Sequence, residues 1–141
     1  MPEAKSIHEL KIGDDAQILK TITGADIELF AKATGDVNPV HLDQAYAEKT
    51  MFKGRIAHGL FSVGLLSAVL GNILPGHGTI YLSQEVKFLA PVRIGDTLTA
   101  RVEVIELLPE KNRAQFRTTC TNQDGKIVAD GIAWTMPPRK D

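Results

Sequence analysis

The order of apolar and polar residues predicts two main helices followed by a run of strands. Ile27, Phe30, Ala31 and Thr34 recur at helical spacing and define one buried face. Thr23 stands before them as an N-cap. Its hydroxyl can accept from the amide three residues on, where Asp26 also complements the helix dipole. Gly35 ends this helix, because glycine adopts a left-handed stop without steric cost. A second helix is predicted over residues 57–74. Its apolar residues, from Leu60 and Phe61 through Leu66 and Leu70 to Leu74, cover nearly the whole circumference. A helix apolar all round must be buried on most sides. Pro75-Gly76 stops it.

From Thr79 onward the period changes to two. Ile80, Leu82, Gln84, Val86 and Phe88 alternate with Tyr81, Ser83, Glu85 and Lys87. Leu98 to Val104 and Ala114 to Cys120 alternate again, and residues 127–135 form the last run. Pro109-Glu110-Lys111-Asn112 and Asn122-Gln123-Asp124-Gly125 are hairpin-type turns, so the simplest arrangement of these strands is an antiparallel meander. Before the first helix, residues 1–15 read as an arm ending in a turn at Gly13, and residues 16–22 as a short strand. A sheet with one apolar face and a helix apolar all round have a joint solution. The sheet curls around the central helix, an α+β, hot-dog-like arrangement. One such layer leaves a helix face and a sheet edge poorly covered, which predicts a homodimer.

Composition adds little and excludes several classes. With 141 residues and no repeat or linker, the chain reads as one domain over 1–141. A net charge of -1 and scattered lysines and arginines give no basis for nucleic-acid binding. The N-terminus lacks the apolar run of a secretory signal, and the apolar stretch 60–74 is shorter than the ~20 residues of a membrane span. The lone Cys120 excludes an intramolecular disulfide and a multi-cysteine zinc site, which fits a cytoplasmic protein.

The candidate chemistry lies between the helices, in Gly35-Asp36-Val37-Asn38-Pro39-Val40-His41. The stretch reads as a loop stiffened by Pro39, with Asp43 capping a short helix after it. An Asp after Gly is ordinarily a turn residue, and a lone loop His is ordinarily solvated. The combination of Asp36, Asn38, Pro39 and His41 ahead of a helix opened by Ala57-His58-Gly59 gives the pair another meaning. Together with Ala47, Leu74-Pro75-Gly76, Ile80-Tyr81-Leu82, Pro91 and Gly95-Asp96, it resembles the hydratase-2 signature of MaoC-like proteins. Within that family, the resemblance is to the short, single-domain (R)-specific enoyl-CoA hydratases that supply polyhydroxyalkanoate synthesis.

That resemblance implies a homodimeric hot-dog fold and reversible syn addition of water to a trans-2-enoyl-CoA. It implies Asp36 and His41 as the catalytic pair, Gly59 as the glycine whose amide polarises the thioester carbonyl, and Ser67 as a serine lining the site. It implies no cofactor and no metal. The chemistry is consistent with these residues. A carboxylate and an imidazole holding one water can perform both proton transfers, and a helix N-terminus offers free amides to the enolate oxygen. Asn38 reads as a brace for the loop and His58 as a supporting residue at the helix start. Lys53, Arg55 and Arg93 are candidates for the coenzyme A phosphates, with nothing to single one out.

Three alternatives share the scaffold. A 3-hydroxyacyl-carrier-protein dehydratase would use the same residues in reverse. A thioesterase would place a carboxylate on the central helix, and residues 60–74 contain none. A non-catalytic acyl-CoA-binding subunit would be expected to have lost the pair.

Overall fold

The computed structural model of the protein describes residues 3–140. The chain forms β1 (Asp15–Thr21), α1 (Gly24–Thr34), α2 (Pro39–Leu42), α3 (Gln44–Glu48) and α4 (Gly59–Asn72). The strands β2 (Ile80–Phe88), β3 (Thr97–Leu108), β4 (Arg113–Thr121) and β5 (Ile127–Met136) follow. They build one five-stranded antiparallel sheet in the order β1-β3-β4-β5-β2.

The alternation in β3 and β4 dictates which face turns inward. Leu98, Ala100, Val102 and Val104 of β3 and Ala114, Phe116, Thr118 and Cys120 of β4 are buried. All of these but Thr118 share one hydrophobic cluster with Leu66, Val69 and Leu70 of α4. This is the α+β hot-dog arrangement, a sheet packed around a central helix.

The structure corrects the sequence reading in four places. The meander holds only for β3-β4-β5. Strand β2 instead crosses to the far edge and pairs with β5, while β1 adds to β3. The link 89–96 contains Pro91, and its turn at 93–96 does not join β2 to β3 as a hairpin, so the link carries the chain across the sheet.

Within β2 the pairing slips between Tyr81 and Ser83. The slip reverses the phase: Tyr81 packs on the core while Ile80 and Leu82 are 52% and 41% exposed. The predicted common face of Ile80, Leu82 and Val86 is therefore split.

The third correction concerns α4, which begins at Gly59 and not at Ala57, with His58 as its N-cap; one side of it is buried, and the other is the helix face that a single layer was expected to leave uncovered. Leu60 is 60% exposed on the other side. Finally, the arm read over residues 1–15 is, over its described residues 3–15, part of the packed domain, since Ile7 and Leu10 sit in the core.

Candidate active site

Local bonds shape the segment between α1 and α3. Thr23 caps α1 in a capping box with Asp26, and Gly35 ends it at φ 81°. The carboxylate of Asp36 accepts weakly from the amide of Asn38 at 3.4 Å. The side chain of Asn38 accepts from the amide of Val40 at 3.2 Å, and Pro39 occupies the first helical turn. A side-chain cap followed by proline is the local recipe for a helix start. His41 therefore lies in the one-turn helix α2 and not in a loop as predicted. Asp43 caps α3 through the amide of Tyr46.

Two contacts from distant sequence hold His41. Its Nδ1 lies 2.8 Å from the carbonyl of Ile56. A carbonyl only accepts, so Nδ1 carries the proton and Nε2 keeps a free lone pair. Arg55 Nε donates to the His41 carbonyl at 2.6 Å, satisfying one of the open carbonyls at the end of α2. Arg55 is thereby turned inward, away from the phosphate-binding role considered above. Lys53 and Arg93 are exposed.

His58 is 3% exposed. Its ring stacks on that of His41 at a centroid distance of 3.8 Å, with Phe30 at 4.5 Å. One donor atom from each of Asp36, His41 and His58 lies within 4.8 Å of the others, a cluster that sequence spacing alone does not reveal. The two imidazoles are only 27° from parallel. That puts their lone pairs in neighbouring planes instead of converging on one point, as tetrahedral coordination requires. The arrangement suits a water held between a carboxylate and an imidazole better than a chelated cation.

A cavity of about 410 Å³ opens beside His41. Gly59 and Ser62 of α4 line it, together with Met51, Phe52, Phe88 and Val128. Its volume and apolar walls are those of a small-ligand site. Gly59 opens α4, where the first amides have no partner within the helix. A Cβ at Gly59 would lie 3.1 Å from the Phe88 ring, so glycine is what allows this close approach.

The single chain does not bring Ser67 to this cavity. Ser67 is exposed on α4, whereas Ser62, one turn from Gly59, is buried and lines the cavity. Sequence reasoning passed over Ser62, although its spacing of three from Gly59 puts both near one helix face. Burial pushes the Cys120 thiol up to about 12, and Cys120 Sγ donates to the Ser62 carbonyl at 3.6 Å. That is a structural thiol and not a nucleophile.

The chain is similar to known proteins over nearly its full length. A family model described as MaoC like domain matches residues 10–126. An (R)-specific enoyl-CoA hydratase of Rhodospirillum rubrum is 53% identical over 132 residues, 94% of this chain and 91% of that protein. A 3-hydroxybutyryl-CoA dehydratase of Methylorubrum extorquens is 46% identical, covering 100% of this chain and 90% of the other. The solved structure of R-hydratase PhaJ1 from Pseudomonas aeruginosa, unliganded, superposes with a TM-score of 0.91 at 49% identity. That match covers 96% of this chain and 86% of the other.

Proposed function

From the premise that this chain belongs to the MaoC-like family, we propose that it is an (R)-specific enoyl-CoA hydratase. It adds water reversibly to a trans-2-enoyl-CoA and yields the (R)-3-hydroxyacyl-CoA. The observation that carries this reading is the Asp36–His41–His58 cluster, with His41 also lining an apolar cavity that begins at Gly59.

The reaction needs a proton removed from water as its oxygen attacks C3, and a proton delivered to C2. Asp36 and the free Nε2 of His41 hold the water between them. One takes its proton and the pair returns one to C2 on the same face, so addition is syn. Negative charge develops on the thioester oxygen, and the Gly59 amide at the positive end of α4 receives it. Asn38 supports the pair by capping the turn that carries His41. These proton transfers require neither a metal nor a redox cofactor.

The protein acts as a cytoplasmic homodimer of this single MaoC-like domain. Among the described residues no helix is long and apolar enough to cross a membrane. The exposed side of α4 around Leu60 and the unpaired edge of β2 are the surfaces a second copy would cover. Ser67 lies on that exposed side, so its role in lining a site depends on the second copy.

The test is hydration of crotonyl-CoA and octenoyl-CoA by the wild-type protein, followed by chiral analysis. The expected product is the (R) alcohol. No turnover by a folded dimer, or an (S) product, would overturn the reading.

A further inference from the structure

We infer that His58 is a positioning residue that ties the two halves of the catalytic pair together, its Nε2–H donating to the Asp36 backbone while its ring stacks on His41. This rests on the hydratase reading for its kinetic consequences and on geometry alone for its structural ones.

The backbone explains how His58 reaches both partners. It is the N-cap of α4, in an extended conformation, yet its side chain makes no capping bond. N-caps are ordinarily Ser, Thr, Asp or Asn, because those side chains satisfy the open amides. His58 forgoes that bond, and its Nε2 lies 3.0 Å from the Asp36 carbonyl, 22 residues away in sequence. A carbonyl only accepts, so Nε2 carries the proton. Nδ1 is then buried without a partner. An unpaired buried nitrogen is unfavourable, and a phenylalanine would fill the same place beside Phe30 without it. The Nε2 donor is what the position needs an imidazole for.

The tether matters more for Asp36 than for His41. His41 is already fixed by the Ile56 carbonyl and by Arg55. The other bonds of Asp36 among the described residues reach only Thr34 and Asn38, both two residues away and exposed. His58 is thus the long-range bond that sets the base against the imidazole.

Two variants separate the contacts. His58→Phe keeps a flat ring for the stack and removes the donor. His58→Gln keeps a donor near Nε2 and removes the ring. His58→Phe is expected to lower kcat about 100-fold with KM unchanged, the scale of a misplaced catalytic group. His58→Gln is expected to recover most of that loss. Amide exchange in the 34–41 segment is expected to speed up in His58→Phe and stay near wild type in His58→Gln. Wild-type turnover in His58→Phe, equal losses in both variants, or a loss confined to KM would overturn the inference. If wild-type protein hydrates no enoyl thioester, the hydratase reading fails by itself. The exchange measurement then still decides, and unchanged exchange in His58→Phe would overturn the tether.

Discussion

The segment from Thr34 to Asp43 and the sheet behind it are held by different forces. In the segment, the side-chain bonds that join Asp36 to Thr34 and Asn38, Asn38 to Val40 and Asp43 to Tyr46 span two or three residues and are exposed. In the sheet, Val104 faces Phe116 across the β3–β4 ladder, and both are fully buried against the core around α4. Short polar bonds define the backbone locally and contribute little to global stability. Buried apolar area does the reverse. The chemistry sits where the first kind of bond rules, so rate and stability should separate under mutation.

The largest effect expected is on rate. His41→Ala should cost about 10²–10⁴ in kcat, the range for a lost acid–base group, with little change in melting temperature. Adding Asp36→Asn to it should cost little more, since paired groups act as one unit. Losses that multiplied would show independent roles.

The converse comes from the core. Phe116→Ala should destabilise the fold by about 3–5 kcal/mol in denaturant titrations. The rate per folded molecule should be unchanged, and a lower one would mean the two regions are coupled.

Asn38→Ala is intermediate and sharpens the contrast. Removing the acceptor for the Val40 amide should cost about 1 kcal/mol locally, read as a partial loss of rate with a small change in melting. Ser67→Ala should have the smallest effect, because Ser67 is exposed and outside the cavity of its own chain. Full inactivation of an intact dimer would make it a required partner contribution.

The same division explains what could be read from the sequence. Thr23, Gly35 and Asp43 were legible as caps because each cap works over a few residues. The Asp36-to-His41 pattern was legible through its resemblance to a family signature, whereas the short helix that carries His41 was read as a loop. The place of β2 was not, since its partner β5 is chosen by how the whole sheet encloses α4. The slip at Leu82 also depends on that pairing. Ser67 was named and Ser62 passed over, because a helix apolar all round does not itself show which face turns inward; only the spacing from Gly59 pointed to Ser62. His58 was legible only as a supporting residue at the helix start. Its meaning comes from Asp36 and His41, which only the fold brings beside it.

The central claim is that Asp36 performs chemistry without holding the fold. Turnover of a trans-2-enoyl-CoA and thermal unfolding of Asp36→Asn, measured side by side with wild type, test it directly. The account predicts an unchanged melting temperature and a kcat lower by about 10²–10⁴. Wild-type turnover in a normally folded Asp36→Asn would contradict it.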